Sequence, residues 1–376
     1  MALAALRVAI LLQLYRQIVS ALRICSFISP RRSSLLKTVV TGGAGFIGSH
    51  LCARLLQEGH SVLCVDNMLT GSQKNIAALQ DHPQFTYLQH NVTQPFPFEA
   101  DAIFHLASPA SPVGYMDHPI ETILVNSQGT YQMLEQARKQ NALLLMTSTS
   151  EIYGDPLVHP QPEDYWGNVN PVGPRACYDE SKRLGETLTM EYYRQYQTNI
   201  RIVRIFNTYG PNSQINDGRM IPNFITQALQ NKPLTIYGDG SNTRSICYVS
   251  DLVEGLILAM FSPHTTAEVF NLGSTEEHTV LDFAHTIIRL CNSSSNIVFE
   301  PSRIDDPERR RPDISKAQRT IGWQPQVSME DGLQRTIEWF RRGGSGVELN
   351  GDSRGILSEG RVEPFRLMDI NPVIRS

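Results

Sequence analysis

The chain has 376 residues, 41% of them hydrophobic, and a formal net charge of −4 at pH 7. This length and apolar content suffice for one large domain or two closely packed ones, and the slight acidity excludes the basic surface of a nucleic-acid-binding protein. The 6 cysteines are scattered without a C-x-x-C pair. This argues against a zinc site and a disulfide framework, favours reduced thiols in the cytoplasm, and leaves no metal expected.

The two ends differ in composition from the middle. Residues 1–36 contain five arginines and no acidic residue; the first acidic residue of the chain is Glu58. The composition resembles a transit peptide, but arginines interrupt the apolar run, and each costs about 3 kcal/mol at mid-bilayer, so a membrane span is not expected. Targeting, membrane association and no function stay open for this extension. Residues 343–376 are rich in Gly and Ser, which predicts a flexible tail.

Strand and helix patterns alternate from Lys37 onward. The strand patterns are KTVVT, SVLCVD, FTYLQH, AIFHLA and ALLLMTS, and helical patterns such as SHLCARLLQEG lie between most of them. Near-continuous apolar strands separated by helices predict an α/β fold with a doubly wound parallel (Rossmann) sheet, because helices cover both faces of such a sheet. After about Asn212 the strands become sparser and Pro, Gly and Asn more frequent, which is typical of ligand-binding loops.

A glycine-rich stretch, TGGAGFIGSH, follows the first strand and opens the first helix. Gly43, Gly45 and Gly48 fit G-x-G-x-x-G, and Gly42, Gly45 and Gly48 fit the G-x-x-G-x-x-G variant equally well. Glycines there allow a tight turn and close approach of the backbone to a pyrophosphate, which the helix N-terminus then faces with free N–H groups. The stretch predicts a dinucleotide site.

The end of the second strand indicates which dinucleotide is bound. Asp66 stands at the spacing where an acidic residue accepts hydrogen bonds from a ribose 2′-OH and repels a 2′-phosphate. Asn67 and Met68 follow it, so no arginine is present to hold a phosphate. NAD is therefore favoured over NADP.

A tyrosine and a lysine stand one helical turn apart in YDESK. Tyr178 and Lys182 are neighbours at i and i+4 on a helix, and a lysine cation beside a phenol favours the phenolate. A tyrosine needs such help to act as a base near neutral pH. The pattern occurs by chance in many proteins, and it gains meaning here from the nucleotide loop and the STSE strand end before it.

These motifs together resemble the extended short-chain dehydrogenase/reductases that act on nucleotide sugars, and more narrowly the UDP-glucuronate decarboxylase (UDP-xylose synthase) family. The matching stretches include HLASPASP, TSTSEIYGDPLVHPQPEDYWGNVNP, CYDESKR, RIFNTYGP, DGR, YGDGSNTRS, YVSDLV and DDPERRRPDI. The resemblance implies an NAD-binding Rossmann domain at 37–211 with returning segments near 245–275. It also implies a smaller α/β UDP-sugar domain at 212–342, and a homodimer.

The resemblance gives a use to the polar end of the fifth strand. Sister 4,6-dehydratases carry Asp-Glu where this chain has Ser150 and Glu151, and 4-epimerases usually lack the carboxylate. Thr149 would contact the sugar O4 region and help Tyr178 in proton transfer. Ser150 and Glu151 would act near C5 during decarboxylation and reprotonation.

The chemistry implied is a closed redox cycle on UDP-glucuronate. Oxidation at C4 makes the carboxylate β to a carbonyl, CO₂ leaves, and reduction at C4 gives UDP-xylose without net redox change. A nucleotide-sugar 4-epimerase or 4,6-dehydratase is the alternative reading, and a non-catalytic NAD-binding scaffold is a second one from another class.

Motif matching assigns the remaining site residues. The NAD-binding set is Gly42, Gly45, Phe46, Ile47, Gly48, Asp66, Asn67, Thr70, Gly71, Asn91, Val92, Leu106, Ala107, Ser108, Asn126, Tyr178, Lys182 and Thr208. The substrate-binding set is Tyr115, Glu151, Asn207, Arg219, Tyr237, Arg244, Tyr248 and Arg310. Arg310 would hold the glucuronate carboxylate through its planar fork, with Arg309 and Arg311 as fallbacks because three consecutive arginines leave the register open.

The chain departs from the family pattern at three positions. Asn91 and Asn212 stand where the family usually has Asp and Arg, and Ser181 replaces the usual Gly of the Tyr–Lys motif. The first two changes put ligand affinity in question, while none of the three removes a catalytic residue.

Overall fold

The computed structural model describes residues 35–215, 218–301 and 309–343. The expectations for residues 1–36 and 343–376 therefore fall almost entirely outside the described residues. Within the described part of the chain, none of the helices combines the length and the apolarity that crossing a membrane requires.

A parallel sheet of seven strands lies at the centre of the fold. The described strands are, in chain order, β1 (Lys37–Thr41), β2 (Ser61–Asp66), β3 (Phe85–Gln89), β4 (Ala102–His105), β5 (Leu143–Thr149), β6 (Ile200–Ile205), β7 (Thr208–Tyr209), β8 (Leu234–Tyr237), β9 (Thr243–Ser245), β10 (Cys247–Tyr248), β11 (Val269–Leu272), β12 (Glu277–Thr279), β13 (Ile297–Glu300) and β14 (Arg309–Arg310). The main sheet has the order β11-β6-β5-β4-β1-β2-β3, and its strand pairs are parallel. The predicted doubly wound Rossmann sheet is confirmed.

Helices connect these strands. They are α1 (Phe46–Gln57), α2 (Gln73–Ile76), α3 (Pro112–Asp117), α4 (Pro119–Leu124), α5 (Thr130–Gln140), α6 (Ala176–Tyr196), α7 (Met220–Leu229), α8 (Val249–Phe261), α9 (Val280–Cys291), α10 (Ser315–Ile321) and α11 (Met329–Arg341). A π-helical turn, Val125–Gly129, joins α4 to α5, and a 3₁₀ turn, Ser150–Tyr153, follows β5. Local sequence sets several ends: α9, for example, begins with a capping box of Thr279 and Asp282.

Successive residues of the central strands enter two different cores. Val40 and Leu145 pack in the core that α1 and α8 cover, whereas Val39 and Leu144 pack in the core that α5 covers. This division follows from the two-residue repeat of a strand, whose side chains point alternately to opposite faces. All four side chains are fully buried, which explains why these strands read as continuous apolar runs.

The small strands of the second half of the chain form three further sheets. In one of them β9 lies between β12 and β14, and the parallel register of β9 with β14 places Arg244 directly opposite Arg310. The edge strand β11 of the main sheet also comes from the second half, pairing with β6. The domain boundaries 37–211 and 212–342 stay a prediction.

Candidate active site

A cavity of about 1280 Å³ lies at the carboxyl ends of β1, β2, β4 and β5, where ligands bind in open α/β sheets. It extends to β9 and β14 of the small three-stranded sheet. The structure brings most of the predicted site residues together in its wall, namely Gly42, Gly45, Phe46, Ile47, Gly48, Asp66, Asn67, Thr70, Gly71, Asn91, Val92, Leu106, Ala107, Ser108, Tyr115, Thr149, Ser150, Glu151, Tyr178, Lys182, Asn207, Thr208, Arg219, Tyr237, Arg244 and Arg310.

Two predicted residues do not line this cavity. Asn126 is buried beneath the wall in the π-helical turn, where its Nδ2 donates to Ser181 Oγ at 3.0 Å. The hydroxyl at 181, where the family usually has glycine, thus provides the partner of this amide. Tyr248 is buried in β10, and its ring packs edge-on against Tyr209 with centroids 5.5 Å apart.

The turn between β1 and α1 has the shape that a pyrophosphate requires. Gly42 has a φ of +71°, which other residues rarely adopt. A Cβ on Gly48 would lie 2.1 Å from the Gly42 carbonyl oxygen, so only glycine permits this close packing. Helix α1 starts after Gly45, which has no side chain to cap it. The first turn of α1 therefore suits an anion, and these residues fit the pyrophosphate of NAD.

Asp66 is held at the wall of the cavity by backbone donors. Its Oδ2 accepts from Ala44 N at 3.0 Å and its Oδ1 accepts from Met68 N at 2.8 Å. Burial raises the pKa of Asp66, and the two N–H groups partly oppose that shift. A Cβ on Gly71 would lie 2.7 Å from the Asp66 carboxylate, so the neighbouring glycine keeps space around it. The arrangement fits an acceptor for ribose hydroxyls.

Tyr178 and Lys182 lie one turn apart on α6, both buried in the cavity wall. The Lys182 Nζ is 5.9 Å from the Tyr178 ring centroid and donates to the Thr147 carbonyl at 2.9 Å. Burial raises the pKa of Tyr178, opposed by a hydrogen bond with Thr149, and burial lowers the pKa of Lys182 to about 7. In the structure, burial is the largest influence on the pKa of Tyr178 and raises it, whereas the sequence suggested a lowering by the lysine.

The ring of Tyr115 covers Tyr178. The two rings are stacked, with centroids 5.1 Å apart and planes at 9°, and Tyr115 is itself buried. This stacking covers one face of the phenol ring and restrains its plane.

Glu151 is paired with two arginines. Its carboxylate accepts hydrogen bonds from Arg310 and from Arg175. Burial acts to raise the pKa of Glu151, but the charges of Arg310 and Arg175 outweigh it, so the pKa lies below its ordinary value. Sequence reasoning missed Arg175, although its place one turn before Tyr178 in GPRACYDESK was a usable signal.

The structure separates the three consecutive arginines. The side chain of Arg310 is 6% exposed and lines the cavity, whereas those of Arg309 and Arg311 are 60% and 37% exposed and lie near Glu277 instead. Arg310 is thus the member of the run that meets Glu151, and it shares the cavity wall with Arg244 on the adjacent strand.

Comparisons with known proteins identify the family. A model of the NAD dependent epimerase/dehydratase family matches residues 38–273. UDP-glucuronic acid decarboxylase 1 of Danio rerio is 52% identical over 306 residues, which are 81% of this chain and 73% of the relative. UDP-glucuronic acid decarboxylase 3 of Arabidopsis thaliana is 48% identical over 323 residues, which are 86% of this chain and 93% of that protein.

A solved structure gives the same result for the fold. UDP-glucuronic acid 4-epimerase from Bacillus cereus, in complex with UDP-glucuronic acid and NAD, is 29% identical and matches with a TM-score of 0.73. The match covers 81% of this chain and 99% of that one. The chain therefore belongs to the NAD dependent epimerase/dehydratase family, in which it is similar to UDP-glucuronic acid decarboxylases.

Proposed function

We propose that this protein is an NAD-dependent UDP-glucuronate decarboxylase that forms UDP-xylose through a UDP-4-keto intermediate. The observation that carries the proposal is a carboxylate held between two arginines, Glu151 with Arg175 and Arg310, in the same cavity as Tyr178 and Lys182. The similarity to UDP-glucuronic acid decarboxylases over most of the chain supports it.

When bound, NAD would supply the redox chemistry, which is hydride transfer from and to the sugar C4. The turn from Gly42 to Gly48 would hold its pyrophosphate, and Asp66 would accept hydrogen bonds from a ribose. Tyr115, through its stacking on Tyr178, would hold the phenol over the sugar.

Tyr178 would move the proton at the sugar O4. Its phenolate oxygen accepts that proton as C4 is oxidised, and the resulting phenol donates it back at the end of the cycle. Thr149 stabilises the phenolate through its hydrogen bond, and this contact already lowers the pKa of Tyr178 against the effect of burial. Lys182, with its pKa lowered by burial to about 7, can gain the balancing charge near neutral pH.

The charges around Glu151 favour an incoming carboxylate. Arg175 and Arg310 supply two positive charges against the one negative charge of Glu151. Burial and the nearby Glu151 raise the pKa of Asp179 to about 7, so this neighbour carries only part of a charge at neutral pH. The pocket therefore has an excess of positive charge that a glucuronate carboxylate would balance until it leaves as neutral CO₂.

A 4-epimerase acting on the same substrate is the second candidate function. The similar Bacillus cereus structure is a 4-epimerase with UDP-glucuronic acid bound, so carboxylate binding by itself does not separate the two activities. The higher identity to decarboxylases favours decarboxylation.

The deciding experiment is incubation of the purified protein and NAD with UDP-glucuronate, followed by mass analysis. We expect a product lighter by CO₂, identical to UDP-xylose, without stoichiometric accumulation of NADH. A product of unchanged mass would identify an epimerase, and no turnover would favour a non-catalytic scaffold. The Tyr178→Phe variant is the control for contaminating activity.

Arg310 is our proposed anchor of the glucuronate carboxylate. Arg310→Ala should weaken UDP-glucuronate binding by about 10- to 150-fold, the loss of one charge-assisted contact, and leave UDP-glucose binding nearly unchanged. Both titrations are made in the Tyr178→Phe background, which should lower turnover at least ~100-fold. Arg311→Ala, which removes the adjacent and more exposed arginine, is the matched control. An equal loss for both ligands would exclude Arg310 as the anchor.

We also propose a homodimer. Ile120, Ile123, Leu124 and Tyr131 are exposed along α4 and α5, and Leu184 is exposed on α6, against which α4 packs. Apolar residues at such spacing form one face, and a second copy of the same face is the partner that would cover it. Sedimentation should give twice the monomer mass, and Ile120→Glu combined with Leu184→Glu should give the monomer.

A cytoplasmic location is proposed from the cysteines. The five that the structure describes, Cys52, Cys64, Cys177, Cys247 and Cys291, are free thiols, as is usual in a reducing compartment. Targeting or membrane association through residues 1–36 is the alternative, and imaging of the tagged full chain separates the two.

A further inference from the structure

The two partners of the Glu151–Arg310 ion pair are 159 residues apart in the chain. Each lies on a very short element, Glu151 in the 3₁₀ turn Ser150–Tyr153 and Arg310 in the two-residue strand β14. One turn or one ladder step contributes few backbone hydrogen bonds, so neither element holds its own position firmly. Other contacts have to place the two side chains against each other.

Asn271 in β11 connects both elements through one buried amide. Its Nδ2 donates to the carbonyls of Gln161 at 3.0 Å and Asp313 at 3.3 Å, while its Oδ1 accepts from the Tyr153 hydroxyl at 2.8 Å. Tyr153 is the last residue of the turn that carries Glu151, and Asp313 lies three residues after Arg310. Asn271 has no solvent exposure, so water cannot replace these contacts.

Gln161 continues the connection to the arginine strand. Its backbone N donates to the Arg311 carbonyl at 2.9 Å, and its Oε1 accepts from Arg311 N at 3.0 Å. Its own carbonyl accepts from Asp313 N at 2.9 Å, in addition to the bond from Asn271. The residue directly after Arg310 is therefore held at both its N–H and its C=O by a fully buried glutamine.

Tyr153 links the same network to the helix that carries the proposed base. Its hydroxyl accepts from Arg204 Nη1 at 2.9 Å, and Arg204 binds both oxygens of Glu186 at 3.0 and 2.8 Å. Glu186 is on α6, two turns after Tyr178. One buried network thus spans the turn of Glu151, the strand of Arg310 and the helix of Tyr178.

We propose that Asn271 is a positioning residue that sets the geometry of Arg310 relative to Glu151, and so the binding of the substrate carboxylate. The proposal rests on the proposed function of Arg310 as the carboxylate anchor. A residue that served only the stability of the core would affect every ligand alike, whereas a positioning residue acts through Arg310 and affects only ligands with a carboxylate.

The test is a double-mutant cycle of Asn271→Ala and Arg310→Ala, with UDP-glucuronate and UDP-glucose titrated into full-length protein in the Tyr178→Phe background. Asn271→Ala should weaken UDP-glucuronate binding about tenfold and change UDP-glucose binding less than about twofold. With Arg310→Ala already present, Asn271→Ala should cause no further loss of affinity for UDP-glucuronate. Thr336→Val, which removes one buried hydrogen bond on α11, is the matched control and should affect neither ligand.

The outcomes separate this proposal from the one on which it rests. If Arg310→Ala alone weakens both ligands equally or neither, the anchor is wrong and the positioning role is rejected with it. If Arg310→Ala acts as expected but Asn271→Ala weakens both ligands alike, or adds its full effect to Arg310→Ala, only the positioning role is overturned. If Asn271→Ala does not fold, Tyr153→Phe removes a single hydroxyl of the same network, and the same cycle should give a loss of about threefold.

Discussion

Replacing Glu151 by glutamine should make the protein bind UDP-glucuronate more tightly while it turns the substrate over more slowly. Glu151 accepts hydrogen bonds from Arg310 and Arg175, and the pKa of its carboxylate, although burial acts to raise it, is held below the ordinary value by these arginines. The group is therefore charged at neutral pH. An incoming glucuronate carboxylate would therefore share Arg310 with the negative charge of Glu151.

The size of the effect follows from Coulomb's law. Two carboxylates that share one guanidinium lie about 5 Å apart, and at an effective dielectric constant of about 20 their repulsion is about 3 kcal/mol. Glutamine has nearly the same shape but carries no charge, and its amide group loses one of the two arginine contacts. We expect binding to be stronger by about 1–2 kcal/mol, or about 5- to 30-fold. Decarboxylation should slow at least ~100-fold, because the proposed group near C5 is lost.

Binding is measured by calorimetry in the Tyr178→Phe background, with the Glu151→Gln variant compared with the protein that keeps Glu151. Turnover is measured separately, as CO₂ release by proteins in which Tyr178 is intact. UDP-glucose has no carboxylate, so its affinity should be the same in both proteins. Added salt should reduce the difference for UDP-glucuronate only slightly, since the pair is buried. Weaker binding of UDP-glucuronate by the glutamine variant would refute the reasoning, because Glu151 would then attract the ligand instead of repelling it.

Three further predictions concern the base, the buried lysine and the chain ends. Tyr178→Phe should lower turnover at least ~100-fold with NAD still bound, and activity within threefold of the wild type would remove Tyr178 from the role of base. Burial lowers the pKa of Lys182 to about 7, from about 10.4 in an unfolded chain. At or below pH 7 the folded protein therefore carries the full free-energy cost of burying a charged lysine. This cost decreases as the pH rises towards 10, because the unfolded chain then also loses the proton. Lys182→Met should therefore raise the melting temperature most below pH 7 and progressively less towards pH 10, and a pH-independent difference in calorimetric scans would contradict this. A chain of residues 36–342 should fold and turn over, since every residue of the cavity wall lies within it. Insolubility of this shorter chain beside a soluble full-length protein would contradict this, because the end segments would then be needed for solubility.

The central sheet was predictable because its signals are local. Each of the first five strands carries a strand pattern in its own residues, and the glycine turn after β1 lies beside the helix it opens. The partners of Glu151 were not predictable in the same way, since Arg175 is 24 and Arg310 159 residues away from it. The family resemblance selected Arg310, but the contact of that arginine with Glu151 is visible only in the folded chain.

Burial limited what the sequence could say about the proposed base. The spacing of Tyr178 and Lys182 predicts that they are neighbours, and both do line the cavity. It does not reveal how much solvent each loses, and desolvation is the largest influence on the pKa of both. Asn126 shows a related limit, because its partner is the hydroxyl of Ser181, at which this chain departs from the family pattern.

The run of three arginines also affects how the protein tolerates changes in chain length. Side chains alternate along a strand, and in the register of β14 with β9 it is the middle arginine of the run that reaches the cavity. Insertion or deletion of one residue ahead of Arg309 would shift the register by one and turn the opposite side chains inward. In most sequences such a shift would place an unrelated residue against Glu151, but here the next residue in either direction is again an arginine. Lineages that gain or lose one residue before this strand, and whose register shifts as a result, would therefore keep a guanidinium facing the cavity.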